Sequence, residues 1–193
     1  MNNTYVKTFE EYVNEFLIHG SSSDKVLIFD IDDTLIKSDA HVFVRNNRGR
    51  IIKELTSEEY NEYVLKTGES FSYEEFDDFK KLLTAEFTSY FNTMKREYER
   101  GVHISILTAR SNRNMIHDFF MKKGKIDIHP DLIFTCGDDT FNCSVSEKKG
   151  KCIQTLVHYG YKTLIFFDDN VDNLKEVKSI GKQLGVKVHV IKA

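Results

Sequence analysis

Apolar residues concentrate in five short segments, near residues 25–30, 102–107, 131–135, 163–167 and 186–191. Each is too short for a helix and rich in β-branched or aromatic residues, which predicts buried strands. Between them the apolar spacing changes to three and four. Met115, Ile116, Phe119 and Phe120 form one such stripe, Cys152, Ile153, Leu156 and Val157 a second, and Leu174, Val177 and Ile180 a third. The second predicts a helix running to about Tyr159. Strands alternating with helices predict a parallel sheet covered on both faces. In such sheets ligands bind outside the carboxyl ends of the strands.

Residues 36–100 depart from this alternation. Phe76, Phe79, Leu83, Phe87, Phe91, Met94 and Tyr98 form a long helical stripe that predicts core packing. Before it, residues 41–45 and 50–55 flank Asn46-Asn47-Arg48-Gly49, a pattern that predicts a β-hairpin. Thr56-Ser57-Glu58-Glu59 has the acidic first turn of a helix start. The expected organisation is a single domain over residues 1–193, with a small cap or flap insertion at 36–72. Val6, Phe9, Val13, Phe16 and Leu17 predict an N-terminal helix within residues 1–20.

Chemistry gathers where the strands end. Val26-Leu27-Ile28-Phe29 runs into Asp30-Ile31-Asp32-Asp33-Thr34. Alternation along an extended chain puts Asp30 and Asp32 on one side, where two anions repel unless a cation or proton lies between them. Hard oxygen ligands suit Mg²⁺. With the repulsion cancelled, Asp30 can attack a phosphomonoester and form an aspartyl-phosphate. Asp32 can protonate the leaving oxygen, then deprotonate the hydrolytic water. The same acidic run also suits a plain strand-to-loop turn.

Three further fragments follow. The run His103–Leu107 ends in Thr108, whose hydroxyl can bind a phosphate oxygen, and Arg110 can reach a phosphate bidentately. Ser111 is the expected N-cap of the next helix, a site that favours an anion. Lys148-Lys149-Gly150-Lys151 opens another helix, where a lysine can neutralise nucleophile and phosphate together. Lys149 is the first choice, Lys151 the second and Lys148 the third. Last, Leu164-Ile165-Phe166-Phe167 runs into Asp168-Asp169, the expected source of a further metal carboxylate. Asp169 and Asn170 also fit a helix cap, and one can cap while its neighbour binds metal.

In this order the fragments resemble the four motifs of the haloacid dehalogenase (HAD) superfamily of aspartate-dependent phosphatases. Asp30, Asp32 and Thr34 match the DxDxT signature. Thr108 matches the hydroxyl motif, Lys149 the lysine motif and Asp168-Asp169 the paired acids. The likeness implies a Rossmann-like α/β domain of three layers around a central parallel sheet. It implies Asp30 as nucleophile and Asp32 as acid/base. Asp30, the backbone carbonyl of Asp32 and Asp169 would hold Mg²⁺, with Asp168 in support and Thr34, Arg110 and Lys151 toward the substrate. Some relatives carry an acid where this chain has Asn173. The small insertion is similar to that of less-capped phosphatases, such as the phosphatase domain of phage-type polynucleotide kinases, which removes 3′ phosphates from nucleic acids. A small nucleotide or sugar phosphate is the alternative substrate, and a catalytically silent HAD scaffold that binds a partner is an alternative of another class.

Composition narrows the field little further. Hydrophobic residues make 40 % and charged residues 30 % of the chain, an ordinary globular balance. The net charge of −3 argues against strong non-specific binding to nucleic-acid phosphates, although Arg45, Arg48 and Arg50 form a local basic group. No glycine-rich nucleotide loop is present, so no P-loop kinase is expected within these residues. No apolar run approaches the roughly 20 residues of a membrane span, and the acidic N-terminal segment lacks a signal-peptide pattern. Cys136, Cys143 and Cys152 are odd in number and widely spaced. Reduced thiols and a cytoplasmic setting are the expectation.

Overall fold

The computed structural model describes residues 24–137 and 143–193. The helix expected within residues 1–20 lies outside them. Five strands make the central parallel sheet: β1 (Lys25–Phe29), β7 (His103–Thr108), β8 (Ile133–Thr135), β9 (Thr163–Asp168) and β10 (Lys187–Lys192). Their order is β10-β9-β1-β7-β8, with every pairing parallel. All five coincide with the apolar segments, within two residues at each end.

The period-two alternation of these strands builds two cores. Leu27, Phe29, Ile104, Ile106, Ile165 and Phe167 face one side, against α3 (Ser89–Glu99) and α4 (Arg113–Phe119). Phe29 stacks on Phe167 with ring centroids 4.5 Å apart. Val26, Ile28, Leu107, Leu164 and Phe166 face the other side, against α5 (Val145–His158) and α6 (Val171–Gln183). Close packing there requires glycine: a Cβ on Gly181 would stand 2.2 Å from Val188 of β10. Covering both faces makes the sheet a three-layer sandwich. β1 is central, so its carboxyl end lies between those of β7 and β9.

The insertion forms its own small sheet. β3 (Val42–Arg45) pairs antiparallel with β4 (Ile51–Leu55), and Gly49 takes the left-handed turn position at φ 72°. This is the expected hairpin. α1 (Ser57–Glu62) follows with a reciprocal cap: the Thr56 side chain accepts from Glu59 N–H, and the Glu59 carboxylate accepts from Thr56 N–H. A third strand, β5 (Ser70–Ser72), pairs with β3 on the side away from β4.

The long stripe from Phe76 to Tyr98 is not one helix. It divides into α2 (Phe79–Thr84) and α3, separated by β6 (Glu86–Phe87). β6 pairs with β2 (Ile36–Lys37), setting Phe87 opposite Ile36. Thr88 fixes the break by donating from N–H to Leu35 O at 3.0 Å and from Oγ1 to Thr34 O at 2.6 Å. Phe87 keeps its place in the apolar stripe by stacking on Phe91. Spacing alone does not separate this arrangement from a continuous helix, because the break is made by partners about fifty residues away.

Candidate active site

Asp30 follows the last residue of β1, and its N–H donates to Phe167 O at 2.9 Å. That bond places the loop after the central strand beside the end of β9. Asp168, the last residue of β9, is fully buried there. Lys149 reaches both acids from the first half of α5: its Nζ donates to Asp30 Oδ1 at 2.7 Å and to Asp168 Oδ2 at 2.6 Å. The lysine is buried as deeply as the acids it joins. Of the three lysines expected as candidates, Lys149 is thus brought to Asp30, with two carboxylates as partners.

Burial pushes the Asp30 carboxyl well above the ordinary carboxylate range; Lys149 opposes this, while Asp168 and Asp32 reinforce it. Burial by itself would depress Lys149, but the Asp30 and Asp168 carboxylates outweigh it and hold the ammonium above its usual range. Asp169 is half-buried, and its carboxyl is raised by that burial and then by Asp168 and Asp33.

Asp168 and Asp169 have different surroundings. Asp168 accepts from Lys149, from Asn170 N–H, and from Asn173 Nδ2 at 3.0 Å on each oxygen. Asn173, where some relatives carry an acid, instead secures Asp168, and its own Oδ1 accepts from Ser146 Oγ at 2.8 Å. Asn170 caps α6 by accepting from Asp172 and Asn173 N–H, so capping does not fall to Asp169. Ligand oxygens of Asp30, Asp168 and Asp169 lie within 4.8 Å of one another. Three carboxylates against one ammonium leave two negative charges uncompensated in a largely buried space. A divalent cation with oxygen preference fits that donor set.

Asp32 faces a different cation. Arg110 donates from Nε to Asp32 Oδ2 at 2.9 Å and from Nη2 to Oδ1 at 2.8 Å. The fork expected to grip a phosphate grips a carboxylate instead. The turn that carries Asp32 is tight: Asp33 has φ 59°, and the N–H groups of Thr34, Leu35 and Ile36 all point at Ile31 O. Asp is among the few residues that tolerate this left-handed conformation. Thr34 is fully buried inside the turn, and its Oγ1 has no hydrogen-bond partner among the described residues. Thr108 ends β7 and is also fully buried, with its Oγ1 accepting from Arg110 N–H at 3.2 Å.

Two expected positions change. Lys151 is exposed and directs its Nζ toward Cys143 Sγ at 3.6 Å. Two residues beyond Lys149 on a helix is about 200° of rotation, so the fold turns it away from Asp30. Ser111 does not cap α4. Asn112 does, accepting from Met115 N–H, while Ser111 Oγ donates to Asp77 Oδ1 at 2.8 Å. Phe76 and Asn173 take part in ways the sequence patterns did not indicate: Phe76 through Arg110, 34 positions away, and Asn173 as a donor to Asp168. No disulfide joins the cysteines among the described residues, and Cys136 Sγ lies 3.9 Å from Cys152 Sγ. No helix among the described residues is long and apolar enough to cross a membrane.

A family model described as HAD superfamily, subfamily IIIB (acid phosphatase) matches residues 2–191. No curated protein matches the chain. Among solved structures, the HAD domain of the effector protein Lem4 from Legionella pneumophila, an inactive mutant, aligns at 14 % identity with a TM-score of 0.52. That alignment covers 88 % of this chain and 85 % of the other. A HAD-superfamily hydrolase from Ehrlichia chaffeensis aligns at 13 % identity and TM-score 0.43, covering 86 % of each chain. A HAD-family hydrolase from Deinococcus radiodurans with bound phosphate and sodium aligns at 12 % identity and TM-score 0.44, covering 90 % and 93 %. At these identities the likeness concerns the fold.

Proposed function

The chain belongs to subfamily IIIB, the acid phosphatases, of the HAD superfamily of hydrolases, and from that premise we propose a Mg²⁺-dependent phosphomonoesterase that works through an aspartyl-phosphate on Asp30. The observation that carries the reading is the cluster of Asp30, Asp168 and Asp169 with Lys149 bonded to two of its members. Asp30, Asp169 and the Asp32 backbone carbonyl would hold the cation, with Asp168 supporting them. Bound there, the cation would screen the charge of the phosphoryl group and orient it.

The chain's own residues divide the remaining work. Asp30 attacks phosphorus, the ester oxygen leaves, and the phosphoryl group rests on the Asp30 carboxylate. Asp32 gives its proton to the departing oxygen, then takes one from the water that attacks the acyl phosphate. Lys149 holds Asp30 in place and supplies positive charge beside the transferring group. Asp168, itself held by Asn173, anchors Lys149. Thr108, on the neighbouring strand end, is the proposed hydroxyl contact to a phosphate oxygen, and Thr34 supports the turn that carries Asp32.

The insertion favours a small substrate, such as a nucleotide or sugar phosphate, over a nucleic-acid 3′ end. Of the three arginines there, Arg45 is tied to Glu74 at 2.7 Å and to Gly49 O at 2.6 Å. That leaves Arg48 and Arg50 as the exposed positive charge at the hairpin turn, a thin basic surface for a polyanion. Release of phosphate from 4-nitrophenyl phosphate tests the reading. Activity should vanish in EDTA and return with Mg²⁺. Full turnover after rigorous metal removal would contradict the mechanism, and no turnover with Mg²⁺ on any ester would favour a silent scaffold. A panel of nucleotides, sugar phosphates and 3′-phosphorylated oligonucleotides then ranks the substrates.

A further inference from the structure

Arg110 is more deeply buried than its charge favours, at 3 % exposure. Burying a guanidinium is costly unless its donors are satisfied. Here the satisfaction comes from two directions. Nε and Nη2 clamp the two oxygens of Asp32, while Nη1 donates to Phe76 O at 2.5 Å. The guanidinium carbon lies over the Phe76 ring, 5.1 Å from its centroid. Phe76 belongs to the single turn Glu74–Asp77 that closes the insertion. A second tie runs alongside, from Ser111 Oγ to Asp77. On the opposite side the loop is pinned by Gly137, whose N–H donates to Arg110 O at 3.3 Å. A Cβ on Gly137 would stand 2.1 Å from Ala109 O, so the backbone there has little room to shift.

We propose that Arg110 is a positioning residue that holds the Asp32 carboxylate in its acid/base orientation, and that Phe76 couples this hold to the insertion. The inference rests on the reading of Asp32 as acid/base. A bidentate fork fixes the plane of a carboxylate as well as its place, which a lysine cannot do. Each Asp32 oxygen accepts one N–H and keeps another lone-pair direction for proton exchange. The Asp32 side chain is 23 % exposed, so its far side remains open to a leaving group or water. The insertion thus acts on the chemistry without touching phosphate. When residues 74–77 are seated on Arg110, the fork is held; when they lift, Asp32 loses its orientation. Direct contact of Arg110 with the phosphate is the competing role, and the two differ in which substrates suffer.

Three substrates of increasing leaving-group basicity separate the roles: 4-nitrophenyl phosphate, phenyl phosphate and glycerol phosphate. A basic leaving group needs its proton; nitrophenolate hardly does. In Arg110→Lys and Arg110→Gln, kcat/KM on glycerol phosphate should fall roughly 10²- to 10³-fold, within the range that a positioned general acid contributes. On 4-nitrophenyl phosphate it should fall by less than about tenfold, since there the leaving group scarcely needs that acid. The inhibition constant of inorganic phosphate should stay within about threefold, because the lost contact is not to phosphate. Phe76→Ala, which keeps its carbonyl, should show the same gradient at smaller size. In an Asp32→Asn background, Arg110→Lys should cost little more, as expected for two residues acting as one unit.

Equal losses on all three substrates together with weakened phosphate inhibition would overturn the proposal and make Arg110 a phosphate ligand. A gradient for Arg110→Lys with none for Phe76→Ala would remove the coupling to the insertion. If Asp32→Asn itself shows no gradient, the acid/base reading fails and this inference falls with it. If Asp32→Asn shows one and Arg110→Lys does not, this inference alone falls. Should Arg110→Gln fail to fold by circular dichroism, Arg110→Lys and Phe76→Ala decide the matter.

Discussion

The strand-end cradle and the insertion are built on different principles. Around Asp30 every positioning contact is buried, and Lys149, Asp168 and Asn173 interlock through bonds of 2.6–3.0 Å. The insertion's small sheet centres on buried Val42, Val44 and Leu55, with partly buried Tyr60, Tyr63, Phe71 and Phe76 against them, while Ile51, Ile52 and Val64 stand exposed. The cradle inherits rigidity from a sheet packed on both faces. The insertion inherits little, and it meets the site through Phe76 and Asp77. The proposed chemistry therefore rests on the stable element, and the contacts of Phe76 and Asp77 on the weaker one, where lower local stability is expected.

The largest expected effect breaks the cradle. Asp30→Asn keeps the shape and removes the attacking charge, so steady-state turnover should fall by roughly 10⁴-fold or more. Asp32→Asn should also cripple turnover, with phosphoenzyme accumulating if hydrolysis of the intermediate suffers more than its formation. Near-normal kcat for Asp30→Asn would refute the assignment.

Next comes Lys149→Met, which leaves Asp30 and Asp168 facing one another in a buried site. Breaking a buried ion pair from one side costs about 3–5 kcal/mol. Urea unfolding should show a loss of that order without metal, and a smaller loss when Mg²⁺ is added. An unchanged midpoint would mean that the acids are not held by the lysine.

Packing gives a direct contrast between the two regions. Phe167→Ala, in the sheet core, should destabilise by about 3–5 kcal/mol, and Leu55→Ala, in the small sheet, by about 2. Global unfolding should report the first fully. Hydrogen exchange should place the second in residues 42–72, leaving the parallel sheet protected. Uniform loss of protection in both variants would erase the distinction between the regions.

A pH dependence follows from Asp30, raised well above the ordinary carboxylate range by burial, and from Asp169, raised by its own burial. The folded state then holds protons that the unfolded state has released. Their contribution to stability is fully present below the ordinary carboxylate range and is lost as pH rises through the raised values. Mg²⁺ needs the deprotonated carboxylates, so its affinity should climb over that same interval and then level off. Calorimetric titration in buffers of different ionisation enthalpy should also show proton release on binding. A flat affinity across the interval would contradict the shifts.

The smallest effect belongs to the hairpin. Replacing Arg45, Arg48 and Arg50 together with alanine should change hydrolysis of 4-nitrophenyl phosphate less than about threefold, as surface substitutions away from a site do. A large loss confined to oligonucleotides, with a flatter salt dependence, would instead favour a nucleic-acid end as substrate.

The cradle was legible in the sequence because each member sits beside a local signal. Asp30, Thr108 and Asp168 each follow or close an apolar strand, and Lys149 opens an apolar helix stripe. The hairpin and the Thr56–Glu59 cap were legible for the same local reason. What escaped depends on distant partners. The Phe76–Tyr98 stripe broke at Phe87 because Ile36 and Leu35 offered a strand and hydrogen bonds there. Arg110, expected toward phosphate, clamps Asp32, 78 positions away. Asn112 took the cap from Ser111 because Asp77 claimed the serine. Helix periodicity and cap preference name what a residue can do locally; the choice among those options was made by tertiary contacts.

Reductive trapping of the intermediate tests the central assignment most directly. Asp32→Asn protein is mixed with 4-nitrophenyl phosphate, whose leaving group scarcely needs the missing acid, and Mg²⁺, then quenched and treated with borohydride, which converts an aspartyl-phosphate to homoserine. Peptide mapping by mass spectrometry should find homoserine at position 30 in samples given substrate and metal, and in no sample lacking either. Modification at another carboxylate, or phosphate release at appreciable rate with Asp30 never modified, would contradict nucleophilic attack by Asp30.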